Sequence, residues 1–207
     1  QASQLQSNGF TIRFSRNRVT TTMEQAVVIT GAAGGIGQAL CQLFKEQGYL
    51  VIAIDRIEAE GVACDAFLPA DLQKFCQVTE YREQVIQTIR GHLPGVGLHG
   101  LVNNAAVQIV KVTDDLTIED WHTTLDVNLV APFLLTQMLL PELEQASGSV
   151  LNVASIHAQL TKPGFVCYAT SKAALVGLTK SMAVDLGPRI RVNAICPAAV
   201  ATPMLLA

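Results

Sequence analysis

The chain predicts a doubly wound α/β fold, one domain built on a parallel sheet. Three observations carry that expectation. From Ala26 onward, short runs rich in Val, Ile and Leu alternate with longer segments of helical period. Most of the short runs are apolar on both faces, as strands are when helices cover a parallel sheet on two sides. The first run, "AVVIT", leads through the glycine-rich "GAAGGIG" into the amphipathic "QALCQLFKEQG", a strand, a tight turn and a helix in sequence.

The elements follow in order. Strands are expected at Ala26–Thr30, Leu50–Asp55, Ala66–Ala70, Gly100–Asn103, Ser149–Ala154 and Arg191–Ile195. In the helix after the glycine turn, Ile36, Leu40, Leu43 and Phe44 make one apolar stripe, and Gly48 supplies a left-handed cap. Thr117 and Asp120 have the spacing of a capping box, opening a helical stretch that carries Trp121 and Leu125. Trp121 reads as a packing residue. Pro132 should kink or restart that stretch. A last helix runs from Tyr168 to Leu186 and is stopped by Gly187 and Pro188. Asp65 falls in a loop and reads as a solvated acid. Residues 1–22 stand apart: they contain Arg13, Arg16 and Arg18 and no acid. They read as an N-terminal extension, a tag or upstream segment, with organelle targeting as the alternative. Phe10, Ile12 and Phe14 alternate with polar residues and allow a short added strand. Residues 23–207 form the domain.

Composition narrows the function. Half of the 207 residues are hydrophobic, 15% are charged and the net charge is −3. No basic stripe points to nucleic acid or to an anionic membrane surface. The apolar run Leu129 to Leu135 is too short to span a bilayer. Cys41, Cys64, Cys76, Cys167 and Cys196 show no C-x-x-C spacing and read as buried, reduced thiols, which suits a cytoplasmic protein. Cys167 reads as core rather than as a nucleophile. The four histidines form no ligand pattern with these thiols, and no metal site is expected.

The glycine turn has neither the Gly-Lys-Ser/Thr ending of a P-loop nor G-x-G-x-x-G spacing. Gly31, Gly35 and Gly37 read G-x-x-x-G-x-G. Alone it fits a plain strand-to-helix connection as well as a pyrophosphate site at a positive helix N-terminus. The other strand ends decide. Ligands of such sheets bind beyond the carboxyl ends of the strands, and those ends are Gly31, Asp55, Asp71, Asn104, Ser155 and Pro197. Small, acidic and hydrogen-bonding residues gather on one edge of a greasy sheet. Tyr168 and Lys172 lie four apart on one helix face. A phenol is a poor base near neutrality, with a pKa of ~10, and a neighbouring ammonium favours its phenolate.

With these residues the chain resembles the short-chain dehydrogenases/reductases. The resemblance runs from about Glu24 to the end, through "TGAAGGIG", "ADL" at 70–72, "NNAA" at 103–106, "VNL" at 127–129, Ser155, "YATSK" at 168–172 and "ICPAAVATP" at 195–203. It implies a Rossmann-like fold and a nicotinamide-dependent alcohol/carbonyl oxidoreductase acting on a small molecule. Asn128, Ser155, Tyr168 and Lys172 would form the catalytic tetrad. Tyr168 would move the proton and Ser155 would steady the substrate oxygen. Lys172 would lower the tyrosine pKa and hold the nicotinamide ribose, and Asn128 would anchor a water relay to Lys172. The cofactor would lie along Gly31, Gly35, Ile36, Gly37, Asp55, Asp71, Leu72, Asn104, Ala105, Tyr168, Lys172 and Pro197, with Thr202 at the carboxamide. Asp55 favours NAD over NADP, because a carboxylate accepts ribose hydroxyls and repels a 2′-phosphate, although Arg56 beside it could receive one.

Two departures accompany the resemblance. Ala106 and Ala198 stand where the family usually has Gly, each adding a methyl beside the cleft. The sequence ends at Ala207, where the family's substrate-covering segment begins, so the domain is expected to be truncated there. Family members are commonly tetramers or dimers, and the apolar helices around Leu134–Leu140 and Leu175–Met182 could supply a two-fold interface. Gln108 and His157 stand at the expected substrate pocket and resemble the carboxylate-binding pair of 3-hydroxybutyrate dehydrogenases, a protonated imidazole strengthening the grip. That match is incomplete, since a lysine and a tryptophan of those enzymes align with Phe165 and Ala199. A sugar, a polyol or a 3-oxoacyl compound fits the same two residues. A catalytically idle dinucleotide-binding or redox-sensing protein is the alternative to an enzyme.

Overall fold

The computed structural model describes residues 25–57 and 59–198. The suggested strand at Phe10–Phe14, Ala199 and Thr202 lie outside the described residues. Six parallel strands form one sheet in the order β3-β2-β1-β4-β5-β6. They are β1 (Ala26–Thr30), β2 (Leu50–Asp55), β3 (Ala66–Pro69), β4 (Gly100–Asn103), β5 (Ser149–Val153) and β6 (Arg191–Ile195). β3 and β5 each end one residue before the expected boundary. The crossovers contain α1 (Gly35–Glu46), α2 (Leu72–Gln77), α3 (Thr79–His92), α4 (Ile118–Leu125), α5 (Ala131–Met138), α6 (Leu140–Gln145) and α7 (Val166–Leu186).

The two-residue period of the strands divides the core. Val27, Ile29, Val51 and Ala53 pack on the face that holds Cys41 of α1. Val28, Ile52, Ile54 and Leu101 point to the opposite face, against Phe75, Ile86, Leu135, Leu139 and Met182 from the other helices. β1 is buried along its whole length, which is why its sequence shows no polar alternation.

The expected stripe on α1 is rotated. Leu43 is 51% exposed, while Gly37 and Cys41 are the buried residues of the helix and Leu40 and Phe44 flank them. The helix lies so close to β1 that small residues make its contact line, and small residues carry little hydrophobic signal. A Cβ built at Gly37 would stand 2.0 Å from the Gly31 carbonyl oxygen. Gly48 has φ 80° after α1, the expected left-handed cap. Asp65 is exposed in the loop before β3, as expected, and is also a tie. Its carboxylate pairs with Lys45 at 2.6 Å and accepts the Val51 N–H at 2.7 Å, joining α1, β2 and the loop into β3.

The stretch after β4 follows the expected punctuation. Thr117 and Asp120 form both bonds of the capping box at the start of α4. Between α4 and α5 the backbone takes a π-helical turn, Asp126–Val130, in which the Ala131 N–H reaches back to the Asp126 carbonyl. Pro132 at the start of α5 has no N–H to close an ordinary bond to the Asn128 carbonyl four residues earlier. α7 begins two residues earlier than expected and stops at Leu186. Cys41 and Cys167 are buried, and Cys64, Cys76 and Cys196 are half-buried. No described helix is long and apolar enough to cross a membrane, and no described group of three or more His, Cys, Asp or Glu could hold a metal ion.

Replacing Gly37 by Ala is expected to destabilise the protein by about 1–3 kcal/mol, as overpacking a tight contact does. Gly91, in α3, has open space around it, and Gly91→Ala is expected to stabilise by about 0.5–1 kcal/mol through helix propensity. Urea unfolding of both variants measures the contrast. Equal shifts would show that α1 can move away from β1 at no cost.

Candidate active site

A cavity of about 820 Å³ opens at the carboxyl edge of the sheet. All six strand-end residues singled out from the sequence (Gly31, Asp55, Asp71, Asn104, Ser155 and Pro197) line it. Gly35, Ile36, Leu72, Ala105, Gln108, His157, Tyr168 and Lys172 also line it, as do the two alanines that replace glycine, Ala106 and Ala198. Gly37 and Asn128 stand behind the wall, both buried.

The glycine turn has the shape of a cradle. Gly31 has φ 65°, and a Cβ there would meet Ala105 Cα at 2.7 Å, so only glycine brings this backbone against the end of β4. The turn is held at Thr30, a residue whose role the sequence did not reveal. Its hydroxyl accepts the N–H groups of Asn104 and Ala105, each at 3.0 Å. The Asn104 amide donates to the carbonyls of Thr30 and Gly31. Gly34, the N-cap of α1, offers no side-chain cap. Among the described residues the first-turn N–H groups of Gly35 and Ile36 meet no acceptor, so the positive end of the helix faces the cavity.

Asp55 reaches back across this turn. Its Oδ2 accepts the Ala33 N–H at 2.9 Å, and its Oδ1 accepts the Arg56 N–H at 2.7 Å. Asp71 caps α2, accepting from Gln73 and Lys74, while its own N–H donates to the Tyr81 hydroxyl. Both carboxylates are oriented by backbone donors before any ligand is considered.

At the other half of the edge, Ser155 follows β5 and caps a short 3₁₀ turn, accepting the His157 N–H at 3.2 Å. Tyr168 and Lys172 share a face of α7, with the Lys172 ammonium 5.7 Å from the Tyr168 ring centroid. Lys172 Nζ donates to the Val153 carbonyl at 2.7 Å. Burial dominates both groups. It penalises the ammonium and brings the Lys172 pKa down to about 8. It also raises the Tyr168 pKa above the ordinary phenol range, with the Ser155 hydroxyl opposing. The sequence led us to expect a depressed phenol; desolvation of the phenolate is the larger effect in this cavity.

Asn128 is used up as a clamp. Its Oδ1 accepts the Val107 N–H at 2.8 Å, and its Nδ2 donates to the Val107 carbonyl and to Ser171 Oγ. Ser171 donates in turn to the Tyr168 carbonyl at 2.7 Å. The π-helical turn, the segment after β4 and the first turn of α7 are thereby fixed together. Deeper still, Asn103 donates to Asn152 and Asn152 donates to Thr179. Period and motif reading gave no sign of that buried chain, because strand asparagines in an apolar run look like interruptions.

His157 departs from its expected charge. Its ring stacks on Phe165 at 4.5 Å and 9° and meets Tyr168 edge-on. Burial first, and the Lys162 ammonium second, lower its pKa, so the imidazole is neutral near neutral pH rather than a cation. Lys162 lines the cavity as well.

The family profile described as "short chain dehydrogenase" matches residues 25–206. Protein FixR of Bradyrhizobium diazoefficiens is 38% identical over 91% of this chain and 71% of its own length. The 3-oxoacyl-[acyl-carrier-protein] reductase FabG of Thermotoga maritima is 36% identical over 86% of this chain and 74% of its own. The crystal structure of a Brucella ovis oxidoreductase in complex with a partially ordered NAD superposes with TM-score 0.76 at 36% identity, covering 84% of this chain and 83% of that one.

Proposed function

The chain belongs to the short-chain dehydrogenase family of oxidoreductases, and on that premise we propose that it moves a hydride between NAD(H) and the secondary alcohol or ketone of a small polar substrate. A hydroxy acid, a sugar or polyol, and a 3-oxoacyl compound fall within that class. The observation that carries the reading is the convergence of Ser155, Tyr168 and Lys172 on the cavity that also holds the glycine turn. The catalytically idle alternative finds no support in the tetrad, in which all four positions are filled.

The residues present fit a dinucleotide. Gly31 and Gly37 leave no room for side chains in the turn, and the uncapped start of α1 suits a pyrophosphate. Asp55 would hold the adenosine ribose, and Asp71, Leu72, Asn104, Ala105 and Pro197 would line the rest of the groove. When bound, the nicotinamide ring supplies the hydride acceptor for oxidation or the donor for reduction.

The protein's own groups handle the proton. Ser155 Oγ would hydrogen-bond the substrate oxygen and fix its direction. Tyr168 Oη would take the hydroxyl proton in oxidation and return one in reduction. Lys172, with a pKa of about 8, is still mostly ammonium at neutral pH, and its charge favours the phenolate that burial disfavours. Asn128, tied to Val107 and to Ser171, would act on the site by holding Tyr168 in place. Tyr168→Phe should cut kcat by about 10²–10⁴-fold, the usual worth of a general acid–base group, while NADH binding measured by fluorescence survives. Retention of most of the wild-type kcat would exclude the role.

NAD is favoured over NADP because both Asp55 oxygens are already oriented by backbone N–H groups beside the ribose position, where a 2′-phosphate would meet a fixed negative charge. kcat/KM for NAD should exceed that for NADP by roughly tenfold or more. Comparable values would show that Arg56 offsets the carboxylate.

Self-association into dimers or tetramers completes the reading. Leu135, Leu139, Leu175 and Met182 are buried in the core, which leaves Phe133 on α5, 39% exposed, and Val184 on α7, 84% exposed, as outward apolar contacts. Light scattering of the full-length protein should give a dimer or a tetramer; a monomer would rule this out.

A further inference from the structure

Two consecutive residues of α3 grip the short helix at the β3 end of the cavity. α2 has six residues, and a helix that short does not hold its place in water by its own hydrogen bonds. Leu72 and Phe75 anchor it in the core, but apolar packing fixes depth more than direction. Direction comes from α3. Only Val78 separates the two helices, so the first turn of α3 comes back against α2. There the Tyr81 hydroxyl accepts the Asp71 N–H at 3.0 Å. Arg82 donates through Nη1 to the carbonyls of Phe75 and Cys76, at 3.1 and 3.0 Å. One residue thus holds the entry to α2, and the next holds its last turn.

The gripped segment forms part of the cavity wall. Asp71, Leu72 and Gln73 line it, as does Thr123 of α4, whose hydroxyl accepts from the Gln73 amide at 3.0 Å. The Asp71 carboxylate is tied through Oδ1, which accepts the N–H groups of Gln73 and Lys74. β3 lies beside β2 in the sheet, and the Ala70 N–H donates to the Asp55 carbonyl at 2.8 Å. This is therefore the end of the groove assigned above to adenosine, on the other side of β1 from Ser155 and Tyr168. Tyr81 itself stands outside the cavity, packed against the core, with the Lys74 ammonium 4.5 Å from its ring centroid.

We propose that Tyr81 is a positioning residue for cofactor affinity: through Asp71 it holds the α2 wall in the shape that takes the adenosine half of the dinucleotide. The inference rests on the dinucleotide reading and extends it to a residue outside the cavity. Without the hydroxyl, the Asp71 N–H loses its acceptor, and the wall that begins at Asp71 loses its fixed direction. The nicotinamide half lies at Tyr168 and Lys172, which α3 does not hold, and keeps its contacts.

Tyr81→Phe keeps the ring and its packing and removes the hydroxyl alone. Calorimetry with ADP-ribose, and fluorescence titration with NADH and with reduced nicotinamide mononucleotide, separate the two halves of the cofactor. The variant should bind ADP-ribose and NADH more weakly by roughly three- to tenfold, the worth of one neutral hydrogen bond. Its affinity for the mononucleotide should equal that of the wild type. An unchanged affinity for ADP-ribose would overturn the proposal. So would an equal loss for all three ligands, which would mark the hydroxyl as a support of the whole fold. A wild type that binds NADH and ADP-ribose upholds the dinucleotide reading whatever the variant does; one that binds neither overturns both.

Discussion

The approach of α1 to β1 sets everything at the carboxyl edge of this sheet. No side chain fits between Gly37 and the Gly31 carbonyl, or between Gly31 and Ala105, so a helix and two strand ends meet backbone to backbone. That contact aims the first turn of α1 into the cavity. The Thr30 hydroxyl then holds β1 to β4 where the two halves of the sheet diverge, accepting two N–H groups and donating to the Val102 carbonyl. An open α/β sheet forms its ligand crevice at this divide, and here Thr30 and the Asn104 amide together hold the two lips in register.

The proton-handling half depends on a different device, a polar spine through an apolar core. Asn128, Ser171 and the Tyr168 carbonyl form one branch. Asn103, Asn152, Thr179 and the Leu175 carbonyl form another. Buried amides are costly unless satisfied, and along this second branch only Asn103 Oδ1 meets no donor. What the spine provides is placement. α7 is attached to β5 and to the π-helical turn by directional bonds, whereas apolar packing alone would let the helix slide. The phenol and the ammonium inherit that fixed position.

Much of this was legible in the sequence because it was written in local terms. The strands announced themselves by length and by apolar runs bounded by turn residues. The capping box of α4, the Gly48 cap and the interruption at Pro132 are each signalled within five residues. The six strand ends converged as the doubly wound topology requires. What escaped reading depends on distance rather than on sequence neighbours. Leu43 was placed inside because the pattern weighs a large side chain above Gly37 and Cys41, the residues that touch the sheet. Thr30 and the Asn103–Asn152 pair act across strands, and no spacing marks them. The protonation states were misjudged for a related reason. Lys172 beside Tyr168 suggested a lowered phenol pKa and the expected grip on an acid suggested a charged His157, while burial opposes the charged form of both groups.

The hydrogen bond from Ala33 to Asp55 has a consequence for how this protein can evolve. The side chain that would choose the cofactor is also a strut of the turn that would cradle it. A lineage exchanging Asp55 for a small or basic residue, to admit a phosphorylated nucleotide, would at the same step leave the Ala33 N–H without its acceptor. Selectivity and scaffold are thus inherited together. The smoother mutational paths retain a side-chain oxygen at position 55 and recruit the positive charge from its neighbour, where Arg56 already stands at the cavity wall.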